Sequence, residues 1–228
     1  DSSVQNKKGI LVLSKELAKY SDVLPMNYES SIYVVYDTDN IRHIKAMIIG
    51  PKDTPYEDGC YIFDIYIPND YPNSPPKVCL QTTGKGTVRF NPNLYNNGKV
   101  CLSLLGTWSG KGGESWNNTS SLLQVLVSIQ SLILVENPYF NEPGYERSMN
   151  TTAGDLKNKY YNNNIYLNNL RWAINDNIKN PCDEFKDVIK NHFNLKKNNI
   201  KKNIDRWFEK TSLINEFNIE KDIYNIFE

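Results

Sequence analysis

A chain of 228 residues, 39% hydrophobic and 23% charged, can bury a core, which excludes wholesale disorder and leaves room for one large domain with an extension. Its 26 Lys and Arg balance 26 Asp and Glu, and a net charge of zero excludes a general nucleic-acid binder, though not a local basic patch. The four cysteines, Cys60, Cys79, Cys101 and Cys182, fall at neither zinc nor C-x-x-C spacing and are too few for a disulfide scaffold, so a reduced cytosolic or nuclear protein is expected.

No secretory signal is visible, so the sequons at Asn117, Asn118 and Asn150 carry no weight. The apolar stretch at residues 122–135 is too short and too polar to cross a bilayer, and no membrane partner is expected.

Ile10, Leu13 and Leu17 repeat at helical spacing and predict a short amphipathic helix over residues 8–20. Residues 31–51 read as two strands joined by a turn at Asp37 to Asn40. A third strand covers residues 60–68, with Tyr61, Phe63, Ile65 and Ile67 on one face and Cys60, Ile62, Asp64 and Tyr66 on the other. A fourth covers residues 77–83, and Cys60 and Cys79 are expected to be buried packing residues in these strands. Short links favour an antiparallel meander.

Residues 84–118 are irregular, and a loop of that length is commonly functional. Thr119, Ser120 and Ser121 offer N-caps for a helix over residues 121–135, with Leu122, Leu126, Ile129 and Ile133 as its buried stripe. A polar link at residues 147–154 precedes helical stripes: Leu167, Leu170, Ile174 and Ile178, then Phe185, Val188, Ile189, His192 and Phe193, then Ile200, Ile204, Trp207 and Phe208. Cys182 has no visible partner, and the basic run at residues 196–203 reads as a solvated helix face. The expected fold class is α+β, a four-stranded antiparallel sheet flanked by helices, with a core domain at residues 1–152 and a helical extension at residues 153–228.

The stretch NPNLYNNGKVCLSLL, residues 91–105, sets Cys101 at the end of a loop of turn-forming residues. A thiol there can be packing, a metal ligand, a disulfide half or a nucleophile. A cysteine protease would need His43 or His192 beside it, and these fall in a strand and a helix.

GPKDTPYEDGCYIFDIYIPNDYPNSPPKV, residues 50–78, resembles the sheet segment of ubiquitin-conjugating enzymes, with Gly50, Pro51, Thr54, Pro55, Tyr56 and Gly59, then Tyr71, Pro72, Pro75 and Pro76 at the family spacing. The family's H-P-N run with a catalytic cysteine eight residues beyond the Asn is matched by Pro92, Asn93 and Cys101. The resemblance covers roughly residues 8–146. Residues 88–108, the insertion GKGGESW at residues 110–116, ENPYFNEPGYE and the RWAI of the tail are similar to the large atypical members, including giant BIR-repeat hybrid enzymes.

The resemblance implies the ubiquitin-conjugating fold and transthiolation. Cys101 would take the ubiquitin C-terminus from an activating enzyme as a thioester and pass it to a substrate lysine, without metal or organic cofactor. Asn93 would either donate to the oxyanion or pin the loop, two roles left open. Asn91, where the family usually has His, would alter loop anchoring and not chemistry. Glu142 would position the acceptor lysine or take its proton, with Tyr95 as a desolvating wall and Ser103 two residues after the nucleophile. Tyr95, Gly98, Cys101, Leu102 and Ser103 also match a pattern of the enzyme that conjugates SUMO, so another modifier is an alternative; so is a non-catalytic ubiquitin-binding scaffold. Asn73 stands where typical members present an apolar anchor to ligases, so coupling to ordinary RING and HECT ligases is expected to be weak.

Overall fold

The computed structural model describes residues 2–108 and 114–210, and side chains from Lys7 to Trp207 within them. Most of the insertion at residues 110–116, the Phe208 side chain and residues 211–228 of the extension lie outside the described residues.

Helix α1 spans Ser2–Leu17 and a single turn, α2, spans Tyr20–Val23. Leu13, Leu17 and Tyr20 are buried, but Ile10 is 38% exposed and does not join the stripe expected of it. Strands β1 (Met26–Asn27), β2 (Ser30–Tyr36), β3 (His43–Ile49), β4 (Cys60–Tyr66) and β5 (Lys77–Leu80) form one antiparallel meander in chain order. The sheet has five strands and not four because two residues at β1 pair with the start of β2. The β2–β3 turn is stitched by Asp37, whose Oδ1 accepts from Asp39 N at 2.8 Å.

Strand β4 shows why the sheet has two buried faces. Tyr61, Phe63 and Ile65 pack with Leu13, Leu17, Phe90, Leu122 and Leu126 in one core. Cys60 and Ile62, on the opposite face, pack with Met47, Ile49, Leu170, Ile174, Phe185, Ile189, Phe193, Ile200, Ile204 and Trp207 in a second. The period of two expected for β4 is therefore observed, with apolar partners on both sides.

Helix α3, Leu122–Ser128, starts at Ser121, whose hydroxyl accepts from Gln124 N while Gln124 Oε1 accepts from Ser121 N. It continues as a π-helical turn, Ile129–Ile133, and the stripe Leu122, Leu126, Ile129 and Ile133 is wholly buried. Helix α4 runs over Thr152–Asn168 and takes in the end of the polar link expected at residues 147–154, because Thr151 Oγ1 caps Gly154 N at 3.1 Å. A π-helical segment, Asn169–Asn175, and a short α5, Asp176–Lys179, follow. The last two apolar stripes lie on one helix, α6, Lys186–Lys210, apart from Phe185, which ends the 3₁₀ turn Asp183–Phe185 before it.

The basic run on α6 is not the solvated face expected. Lys196 is 4% exposed and pairs with buried Asp58 at 3.1 Å, its ammonium 3.6 Å from the centre of the Tyr28 ring. Asn203 and Asn199 donate to Glu57 Oε1 at 2.7 and 3.2 Å. Asn169, fully buried, accepts from Tyr61 Oη at 2.7 Å and donates to Glu57 O at 3.0 Å. A Cβ on Gly59 would sit 2.0 Å from Asn169 Oδ1, so glycine there admits the tail helices. The segment at residues 50–61 is thus clamped between the sheet and the tail.

Candidate active site

The loop carrying Cys101 is anchored from beneath. Asn91 is fully buried and its Nδ2 donates to Tyr56 Oη at 3.0 Å and to Ile133 O at 2.8 Å. The Ile133 carbonyl is available because it lies at the end of the π-helical turn. Asn91 Oδ1 accepts from Asn93 N at 2.9 Å, and Tyr56 Oη donates to Phe90 O at 2.8 Å. Asn91 therefore anchors the loop.

From there the chain turns back on itself. Leu94 pairs with Val100, and Lys99 pairs with Cys79 on β5. Gly98 has φ +87°, and a Cβ on it would lie 2.6 Å from Cys79 Sγ and 2.8 Å from Leu80 O, so the turn needs glycine both for its backbone and for its closeness to β5. The turn brings Asn93 and Cys101 side by side: Cys101 N donates to Asn93 O at 2.9 Å, and Asn93 Nδ2 donates to Cys101 O at 2.7 Å. Of the two roles left open for Asn93, pinning the loop is the one its geometry displays. Its Oδ1 is buried without a hydrogen-bond partner.

Cys101 is loop-bound as expected and is only 5% exposed. Burial raises its thiol pKa, and the cations Lys99 and Arg89 oppose that rise. Tyr95 is half-buried, with the Arg89 guanidinium 4.2 Å and the Lys99 ammonium 5.7 Å from its ring centre. Glu142 follows a 3₁₀ turn, Pro138–Asn141, and its Oε2 accepts from Arg89 Nη2 at 3.3 Å. Helix α4 steadies that segment: Asn158 donates to Asn137 Oδ1 at 2.7 Å, and Asn162 donates to Glu136 O at 2.9 Å. Ser103 opens a 3₁₀ turn, Ser103–Leu105.

Asn93, Ser103 and Glu142 share the wall of a groove of ≈ 560 Å³ with Trp108, Leu132 and Phe140; Cys101 and Tyr95 are not on that wall. A larger groove of ≈ 690 Å³, lined by His43, Lys45, Asp64, Tyr66, Cys79 and Glu184, holds none of the expected site residues. Arg89 is the residue that sequence reading missed. Its Nη2 donates to Pro92 O at 2.7 Å as well as to Glu142, so it joins the Tyr95, Pro92 and Glu142 positions. The one available signal was a charged residue set between the apolar Val88 and Phe90 just before the N-P-N run.

The other thiols separate clearly. Cys60 is fully buried and its pKa is pushed far up by desolvation. Cys79 is exposed, contrary to expectation; it pairs with Asp64 in the register of β4 and β5, on the face of the sheet opposite the Tyr61 and Phe63 core. Cys182 does have a partner: its Sγ donates to Glu184 Oε2 at 2.9 Å, and burial and the carboxylate push its pKa up to about 11. His43 stacks edge-on to Tyr66 and His192 contacts Asp58 O, and among the described contacts neither meets Cys101. Among the described residues no group of three or more His, Cys, Asp or Glu is set to hold a metal ion, and no helix is long and apolar enough to cross a membrane.

Comparison with known proteins adds the family context. Residues 12–167 match the family model described as Ubiquitin-conjugating enzyme. The chain is 50% identical over 209 residues to "Probable ubiquitin-conjugating enzyme protein 17" of Caenorhabditis elegans, covering 92% of this chain and 28% of that protein. It is 50% identical over 203 residues to "Probable ubiquitin-conjugating enzyme E2 R521" of Acanthamoeba polyphaga mimivirus, covering 89% of this chain and 14% of that protein. It is 52% identical over 196 residues to "Dual E2 ubiquitin-conjugating enzyme/E3 ubiquitin-protein ligase BIRC6" of Homo sapiens, covering 86% of this chain and 4% of that protein. The chain thus spans from 4% to 28% of the length of these relatives.

Proposed function

The chain belongs to the ubiquitin-conjugating enzyme family, and from that premise we propose that it carries ubiquitin as a thioester on Cys101 Sγ and passes it to a substrate lysine. The observation that supports this most is the reciprocal pair of bonds between Asn93 and Cys101, which holds a loop-borne thiol beside a side-chain amide. The Cys101 thiolate attacks the carbonyl carbon of the thioester on the activating enzyme; the new C–S bond forms as the old one breaks, and the activating enzyme's sulfur leaves as thiolate. A neutral lysine amine then attacks the same carbonyl. The C–N bond forms, Cys101 Sγ departs as thiolate, and the proton lost by nitrogen passes to Glu142 and on to solvent.

Asn93 Nδ2 has two N–H groups. One holds the Cys101 carbonyl, and the other serves the oxyanion, a donation worth about 3 kcal/mol of barrier. Glu142 positions the acceptor, Tyr95 forms its wall, and Ser103 lines the groove through which it approaches. Ubiquitin, its activating enzyme and substrate lysines are the proposed partners, and a reducing compartment, cytosol or nucleus, suits a thiol nucleophile. Coupling to generic RING and HECT ligases is weak on this reading. Asn73 is exposed and polar, and Trp116 is engaged by the same loop, donating to Pro72 O at 2.7 Å.

The test is a charging assay with activating enzyme, Mg-ATP and ubiquitin on a non-reducing gel, with SUMO and its activating enzyme in parallel. A thiol-sensitive ubiquitin adduct that is lost in Cys101→Ala is expected. A SUMO adduct alone would change the cargo, and no adduct with either would leave a binding scaffold. Adding a generic RING ligase to the charged enzyme should give little gain in lysine discharge.

A further inference from the structure

A lysine amine has an ordinary pKa of ~10.4, so at neutral pH the attacking group is mostly in its unreactive protonated form. Glu142 alone makes this worse, since a carboxylate favours the ammonium. Arg89 sits where that effect can be reversed. It is fixed at three points: Pro92 O at 2.7 Å, Glu142 Oε2 at 3.3 Å, and the face of Tyr95 at 4.2 Å. Lys99 adds a second cation 5.7 Å from the same ring. The charged and titratable groups that converge here come from three segments: Arg89, Tyr95, Lys99 and Cys101 from the loop, Glu142 from the segment after the π-helical turn, and Tyr161 from α4.

We infer that Arg89 is the positioning residue that keeps the acceptor amine neutral: it ties one oxygen of Glu142, and with Lys99 it makes the Tyr95 wall electropositive, where a further cation is disfavoured. This rests on the reading of Cys101, Tyr95 and Glu142 given above. Binding to Arg89 through Oε2 leaves Glu142 Oε1 to take a proton from the attacking nitrogen. Arg89 is itself 42% exposed on its side chain, so replacing it removes charge without hollowing a core.

The experiment charges the whole chain with ubiquitin, removes the activating enzyme, and follows discharge to free lysine from pH 6 to 10. Hydroxylamine, a nucleophile that is neutral at pH 7, runs in parallel. In Arg89→Gln, discharge to lysine at neutral pH should fall about threefold and its pH midpoint should rise by about half a unit, while hydroxylamine discharge changes little. Arg89→Lys should keep the midpoint, and Arg89→Gln with Glu142→Gln should bring it back towards the parent value. Equal slowing with lysine and hydroxylamine, or an unmoved midpoint in Arg89→Gln, would overturn the inference and leave Arg89 a loop brace. Absence of any thioester on the parent chain would overturn the conjugating reading itself, and this inference with it.

Discussion

Asn91 makes four hydrogen bonds with one side-chain amide: to Tyr56, Ile133, Asn93 and Asn141. Asn91→Ala leaves the Ile133 carbonyl and the Asn93 amide without these partners, at an expected cost of about 3 kcal/mol in unfolding free energy, measured by urea denaturation. Cys101 responds to pH. Its pKa lies above the ordinary thiol value, so the thiolate fraction at neutral pH is small and rises steeply towards alkaline pH. Alkylation of the Cys101 peptide, followed by mass spectrometry in a Cys79→Ser background, should therefore quicken across and beyond pH 9; Lys99→Ala, which removes an opposing cation, should move that rise to higher pH. That Asn93 and Cys101 lie side by side was legible from their spacing within one motif. Arg89 was not, because its meaning lies in Glu142, which is distant in the chain and close only after folding.

Helix α6 shows the same limit at the scale of an element. Its apolar stripes were readable, but one continuous helix was not, because the polar residues between them look like breaks until they meet Glu57 and Asp58. Lys196 is buried with Asp58 buried opposite it and the Tyr28 ring against its ammonium. Lys196→Met leaves the buried Asp58 carboxylate with Asn199 Nδ2 at 2.6 Å but without its cation, and a loss of about 3 to 5 kcal/mol in unfolding free energy is expected, read by urea or thermal denaturation. A value near zero would mean that water reaches Asp58 and that the clamp on the segment at residues 50–61 is looser than its hydrogen bonds indicate. Helix α3 is the contrasting case. Its cap, its start and its stripe are all local, and all four stripe positions are buried as expected.

Across the whole molecule the sheet is a shared wall. One face supports the Cys101 loop through Tyr61, Phe63 and Phe90, and the other is closed by residues from Leu170 to Trp207. The meander and the two faces of β4 were legible in alternation; that the tail would cover the outer face was not, since periodicity says a stripe is buried and not against what. The division between a core ending at residue 152 and an extension is a proposal that truncation tests. Removing residues 169–228 exposes Met47, Ile49, Cys60 and Ile62 and removes Asn169 from the segment that holds Tyr56. A broadened thermal transition at lower temperature and loss of ubiquitin charging are expected. An intact fold with full charging would make the tail an independent appendage.

The order of the chain gives this architecture a temporal side. Strands β2 to β4 complete their pairing before residue 67, yet the side chains that cover their outer face begin near Leu170. At a synthesis rate of 5 to 20 residues per second, roughly five to twenty seconds separate the two events on the ribosome. For that interval an apolar strand surface bearing Met47, Ile49 and Ile62 is open to water, to chaperones and to other nascent chains.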